Sequence, residues 1–121
     1  MGVEALVIGA LTTYNSLTTL VSTRIYPVKA PQAVSPPVVT YKVGGGDRIN
    51  SLTGYSSLSN PHITIECLST SYSQVVSIAT ATIEAIITST RFKAILADNP
   101  FDDYDDDIAL YRRTLDFSLW L

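Results

Sequence analysis

The side chains able to do chemistry are few, and their spacing works against catalysis. The chain has one histidine and one cysteine, His62 and Cys67. Both lie in His62-Ile63-Thr64-Ile65-Glu66-Cys67-Leu68, whose alternation marks a half-buried strand with Ile63, Ile65 and Cys67 turned inward. A separation of five sends His62 and Cys67 to opposite faces, so they form no base–nucleophile pair. His62 reads as a solvent-facing residue at the strand start and Cys67 as part of the core. Asp103, Asp105 and Asp107 hold the first, third and fifth positions of a calcium-loop spacing. However, Ile108 stands where that loop needs glycine, and Thr114 where it needs a bidentate glutamate. Gly44-Gly45-Gly46-Asp47 is followed by no Lys-Ser/Thr pair and opens no helix, so it is not a phosphate loop. The chain is expected to be no enzyme and to hold no metal and no cofactor.

The remaining signals concern surfaces. Five aspartates, Asp102, Asp103, Asp105, Asp106 and Asp107, crowd one short stretch, and Arg112-Arg113 follow closely. A net charge of −3 and a pI near 4.8 leave no basic stripe to neutralise phosphates, which excludes a general nucleic-acid binder. Charged residues make up only 16% of the chain. Ser and Thr take up the missing polar positions, as suits a surface lying largely against other proteins. A single cysteine excludes an internal disulfide and fits a reducing cytoplasm. The apolar stretch Ala5 to Leu11 follows Glu4, has no basic leader and is too short to span a bilayer, and Leu6 breaks the myristoylation pattern. The sequence therefore reads as a soluble protein made in the cytoplasm, with no membrane partner.

The length suits one domain, residues 1–121. Val3, Leu6, Val7, Ala10, Leu11, Tyr14, Leu17 and Val21 form one helical stripe over Val3–Ser22. Arg24-Ile25-Tyr26-Pro27 leaves that helix as extended chain, and Pro31, Pro36 and Pro37 make a stiff connector. Val38–Val43 is a strand with Val39, Tyr41 and Val43 on one face, followed by a polar loop, Asp47–Asn60. Tyr72–Arg91 is rich in Val, Ile and Thr, which favour strands. Yet Val75, Val76, Ala79, Ile83, Ile86 and Ile87 share one helical face, so period predicts a helix, with Ser71 or Ser73 as N-cap. Phe92–Ala97 reads as a short strand, paired as a hairpin with a long closing strand, Ile108–Leu121. The expected fold is α+β, in the order α-β-β-α-β-β, with two helices on one face of a mainly antiparallel, roughly four-stranded sheet.

Two segments project from such a fold: the Gly/Ser-rich loop Gly44–Asn60 and the acidic tip Asp98–Asp107. Arg112 and Arg113 point to opposite faces of the closing strand. The inward one needs a carboxylate, for which Asp116 and Glu66 are the candidates. The candidate interface residues are Gly44, Gly45, Gly46, Asp47, Arg48, Tyr55, Asp102, Asp103, Asp105, Asp106, Asp107, Arg112 and Arg113.

Three stretches together carry a resemblance. The first is Arg24-Ile25-Tyr26-Pro27 with Ala30-Pro31-Gln32, Pro37 and Tyr41. The second is Ile63-Thr64-Ile65-Glu66-Cys67 with Ser71-Tyr72 and Ile78-Ala79. The third is Tyr104-Asp105 with Leu110-Tyr111-Arg112-Arg113-Thr114-Leu115-Asp116-Phe117. In this order, over almost the whole chain, they resemble the tail-completion, or tail-terminator, proteins of long-tailed phages and gene transfer agents.

The resemblance implies a virion protein at the head-proximal end of the tail. There it would assemble with itself as a ring, typically a hexamer, on the tail tube protein and present a surface to a head-side neck or connector protein. DNA would only pass through such a ring. The acidic tip then has two readings, a channel wall that repels the duplex or a docking surface for basic residues of a head-side partner. Two other classes remain open: another neck component, such as a head-completion or stopper protein, and a host α+β module that binds a small ligand or peptide.

Overall fold

The computed structural model describes residues 3–22, 24–28, 35–44, 48–51, 54–59, 62–89, 92–96, 100–107 and 109–120. Along the chain these form α1 (Val3–Thr12), α2 (Asn15–Val21), β1 (Ile25–Pro27), β2 (Val38–Gly44), β3 (Arg48–Ser51), β4 (Gly54–Ser59) and β5 (His62–Ser69). They continue as α3 (Tyr72–Ile87), β6 (Lys93–Leu96), β7 (Phe101–Asp105) and β8 (Leu110–Trp120). The α+β class stands, but the sheet is larger and mixed. Its strands lie in the order β1-β2-β5-β8-β6, with β7 also paired to β8. β1 runs parallel to β2, and the other pairings are antiparallel.

Alternation along β5 and β8 builds the inner wall. Ile65 lies opposite Leu115 and Ile63 opposite Phe117, and with Cys67 and Leu119 all are fully buried. Against this wall pack Val75, Ile78, Ala79 and Ile86 of α3, together with Val7, Leu11, Leu17 and Val21 of α1 and α2. Among the described residues no helix covers the other face. The hydroxyls of Ser77, Thr80 and Thr82 in α3, and of Thr88 at its end, do not break it, because each finds the carbonyl one turn back. Ser77 donates to Ser73, Thr80 to Val76, Thr82 to Ile78 and Thr88 to Glu84. α3 ends at Ile87, four residues short of the expected Arg91, and its buried stripe is rotated so that Val76 is half-buried and Ile87 exposed. Ser71 is the N-cap by position, but its hydroxyl bonds Ser73 Oγ rather than a helical N–H.

Four expectations need correction. The first helix is broken into α1 and α2 at Thr13-Tyr14. Thr12 and Thr13 turn their hydroxyls back onto the Ile8 and Gly9 carbonyls, and Tyr14 adopts an extended ψ of 108°. Tyr14 Oη then donates to Glu84 Oε2 at 2.7 Å, which fastens the break to α3 while the buried stripe is kept. Second, Ile25–Pro27 is not merely an exit from the helix but the edge strand β1. Val39 N donates to the Arg24 carbonyl, and Arg24 Nε donates to the Pro37 carbonyl at 2.8 Å. Third, the polar loop Asp47–Asn60 contains the two-stranded hairpin β3–β4, with Asn50 opposite Tyr55 and Ser51 opposite Gly54. Fourth, the acidic tip is not wholly a turn, since Phe101–Asp105 is strand β7. The expected pairing of residues 92–97 with the closing strand is present as β6–β8, but not as a hairpin, because β7 intervenes in the chain and itself forms the hairpin with β8.

Register places the two projections at opposite ends of the sheet. β3–β4 is inserted where Gly44 lies opposite His62, and the β7–β8 turn lies beyond the end where Ser69 lies opposite Tyr111. Removing the largest buried ring should show how much the inner wall carries. Phe117→Ala is expected to lower unfolding stability by about 3–5 kcal/mol, measured by urea denaturation with an unchanged slope.

Candidate functional site

Asp, which supplies three of the five residues of β7, has low strand preference, so β7 is held to β8 by side chains as well as by its ladder. Asp102 lies opposite Arg113 and Asp103 opposite Arg112. Neighbouring strand residues face opposite ways, so the two pairs clamp β7 from both faces at once. On the outer face, Arg112 Nε donates to Asp103 Oδ1 at 3.0 Å and Nη2 to Oδ2 at 2.7 Å. Glu66 Oε2 at 3.4 Å and Asp105 Oδ2 at 3.9 Å complete its carboxylate shell. On the helix face, Arg113 Nε donates to Asp102 Oδ1 at 2.6 Å and Nη2 to Oδ2 at 2.8 Å. Tyr72 Oη, from the first residue of α3, donates to Asp102 Oδ2 at 2.6 Å and accepts from Arg113.

One sequence-level assignment holds and one does not. Arg113 is the arginine on the helix side, as alternation requires. The carboxylate it meets is Asp102, however, while Glu66 serves Arg112 on the outer face. Asp116 pairs with neither arginine, and its Oδ1 is buried with no hydrogen-bond partner. The reason is register, since Asp116 lies opposite Thr64, four residues along the same face from Arg112.

The clamps fix the electrostatics. The Arg113 guanidinium, bonded to both carboxylate oxygens, holds the Asp102 carboxyl down at about 2, with Tyr72 assisting and partial desolvation opposing. Asp103 is lowered in the same way by Arg112, and both arginines are held more firmly in their charged form. Asp106 and Asp107 lie in the turn, where Asp107 N donates to Asp105 Oδ1 at 3.0 Å. The aspartate cluster is thus divided between paired strand residues and a solvated turn. Among the described residues no three His, Cys, Asp or Glu side chains converge to hold a metal ion.

Sequence reasoning missed the aromatic component. Tyr111 packs edge-on against Tyr104, with ring centroids 4.8 Å apart, and against Tyr72 at 5.7 Å. All three rings are partly exposed beside the Asp102–Arg113 clamp. The available signal was Phe101 and Tyr104, two strand-forming aromatics set within the acidic run. Among the other proposed residues, Gly44 ends β2, Arg48 lies in β3 opposite Ser59, and Tyr55 lies in β4. Gly45, Gly46 and Asp47 lie outside the described residues. His62 and Cys67 face opposite sides of β5. Burial pushes the Cys67 thiol up to about 12, and Thr82 beside it opposes this only partly, so the thiol is no nucleophile.

The family described as Tail completion protein gp17 matches residues 5–121. The chain belongs to that tail-completion family. It is therefore a structural virion protein of a bacteriophage tail and not an enzyme, and its neighbours are other tail or head proteins. Membership replaces the host ligand-binding reading. No curated protein matches the chain. Among solved structures, the tail-completion fold is similar to a chain of the "Virion of native gene transfer agent (GTA) particle". The TM-score is 0.73 at 18% identity, covering 98% of this chain and 92% of that one.

The clamps give a pH dependence with a definite sign. The folded carboxyl of Asp102 lies below its ordinary 3.8, so its contribution is present above about pH 4 and is lost as pH falls toward 2. The pair is about a third exposed, so screening limits its contribution to about 1 kcal/mol or less. Thermal melts from pH 6 to pH 2 should show a drop in that window which is smaller in Asp102→Asn.

Proposed function

We propose that this protein caps the head-proximal end of the tail tube as a ring, with six subunits as the expected number, and forms the interface to which the head joins. The observation that carries this reading is the placement of two chemically different projections at opposite ends of one sheet. A terminator has to add to the tube on one side and refuse further tube subunits on the other. A ring also needs a contact between unlike surfaces of neighbouring copies. The β3–β4 hairpin, with Gly44, Gly45, Gly46, Asp47, Arg48 and Tyr55 in or beside it, is the projection assigned to the tube protein.

The opposite end is assigned to the head-side partner. Its exposed tyrosines and turn aspartates suit a protein hot spot, because aromatic rings bury large area at low entropic cost. This favours docking over a channel wall. Asp102 and Asp103 have their charge largely matched by Arg113 and Arg112, which weakens any field reaching a duplex in the channel.

Two changes test the ends separately. Replacing residues 45–60 by a short Gly-Ser turn closes Gly44 onto His62, its cross-strand neighbour. The melting temperature is expected to change little, while tails grow to irregular length. Asp106→Asn with Asp107→Asn and Tyr104→Ala should leave tail length uniform but produce tails that fail to join heads. Normal joining with slowed DNA ejection would instead support the channel wall. Uniform tails and efficient joining in the complete absence of the protein would refute the reading.

A further inference from the structure

We infer that copies of this chain join head to tail through the two opposite edges of the sheet, the β6–β7 edge of one copy receiving the β1–β2 edge of the next. The inference rests on the ring reading above and specifies its contact. β1 and the β6–β7 edge lie four strand spacings apart, about 19 Å, too far for one edge to satisfy the other within a chain.

The receiving edge is apolar with an anion at its centre. Phe101 lies opposite Thr114, Ile95 opposite Ser118 and Trp120 opposite Lys93, so all three side chains share the face that no described helix covers. They are 63%, 55% and 43% exposed. Between them on the same face of β8 sits Asp116. β6 reaches Leu96 opposite Phe117 and β7 begins at Phe101 opposite Thr114, so Asp116 faces neither strand. Its Oδ1 is buried with no hydrogen-bond partner. The side chain as a whole is half-buried and makes no ion pair among the described residues, so its carboxylate leaves an unmatched negative charge at this edge.

The opposite edge is apolar with a cation. Val28 follows β1, held by its N–H on the Tyr41 carbonyl at a left-handed φ of 62°, and is 68% exposed. Lys42 is exposed on β2 and makes no ion pair among the described residues, while Val43 beside it is exposed on the helix face. Lys42, Thr64 and Asp116 lie in one row across β2, β5 and β8, so the charges of a single copy sit two strands apart with a threonine between them. Bringing the Lys42 edge of one copy over the Asp116 edge of the next sets the two unmatched charges against each other and covers Val28 with the apolar side chains of the receiving edge. The contact joins unlike surfaces, the kind that repetition closes into a ring when the rotation between neighbours divides a full turn. Pro27 in β1 and Pro100 before β7 cannot donate to an added strand, so side chains rather than an extended ladder carry the contact.

Mixing variants tests this directly, using the full chain at the concentrations, or on the tail tubes, where the wild-type ring forms. Ile95→Asp with Phe101→Asp disables one edge, and Val28→Asp with Lys42→Glu the other. Both sets change exposed side chains, and circular dichroism with melting checks that each variant folds. Each alone should sediment as a monomer, and an equimolar mixture should yield a heterodimer that stops there. Asp116→Asn should weaken self-association by about tenfold or more. Trp120 is the only tryptophan, so its emission should shift to the blue as wild-type rings form. Rings from either variant alone, or no heterodimer on mixing, overturn the inference and leave the ring reading intact. A Trp120 shift caused only by added tube protein overturns it too, and gives this edge to that partner. Absence of any wild-type ring, free or on tubes, overturns both.

Discussion

The structure depends on where α3 begins. From Val75 onward this helix seals the inner wall of β5 and β8, and every side chain of β8 beneath it, Leu115, Phe117 and Leu119, is apolar and fully buried. At Tyr72 the cover ends. One step further along the same face of β8 stand Arg113 and then Tyr111, which a sealed core would not accept. A single eleven-residue strand thus changes from core to partly exposed polar and aromatic surface at the first residue of the helix above it. Tyr72 marks the boundary, with its ring on Tyr111 and its hydroxyl on Asp102.

The same boundary explains why two adjacent arginines are used. β7 has no apolar side chain buried beneath α3, and four of its neighbours along the chain are acidic or exposed. Left to its backbone ladder, such a strand would fray. A planar guanidinium that bonds both oxygens of a carboxylate fixes orientation as well as distance, which an ammonium on a flexible stem does not. Placing one such pair on each face prevents β7 from twisting about its axis, so Tyr104 is presented in one position. Rigidity of this kind lowers the entropy lost on docking.

How much was legible in the sequence follows from which interactions each element uses. β5, β8 and α3 are decided by burial against one wall, which writes a period of two or of 3.6 directly into the residues, so their types were read correctly, though not the end of α3 or the exact line of its buried stripe. So was the opposition of Arg112 and Arg113, since it needs only alternation. β1 was not legible, because three residues ending in proline carry no period, and its strand character comes from Arg24 bonding the Pro37 carbonyl thirteen positions away. β7 was hidden because its partners are charges rather than a core. The division of the first helix depends on hydroxyls returning to carbonyls and on the distant Tyr14–Glu84 bond, neither of which alters the apolar stripe. The β3–β4 hairpin has mostly polar and small residues, so its pairing left no alternation to find.

A sheet covered on only one face leaves exposed edges that must be prevented from growing without limit. β1 is three residues long and contains Pro27, and Pro100 precedes β7, so neither edge offers an uninterrupted row of donors. The uncovered face is not apolar enough to collapse on any hydrophobic surface, because Thr64, Glu66, Arg112 and Thr114 form its middle. What remains attractive is narrow and specific: a few apolar side chains at each edge, and Lys42 and Asp116, which make no ion pair among the described residues. Such a surface resists indiscriminate association yet can close on a neighbour that presents the opposite edge in one orientation. Finite, directional assembly is what the proposed role at the end of a tail requires, and on that proposal it would rest on proline placement and unmatched charge rather than on a large hydrophobic interface.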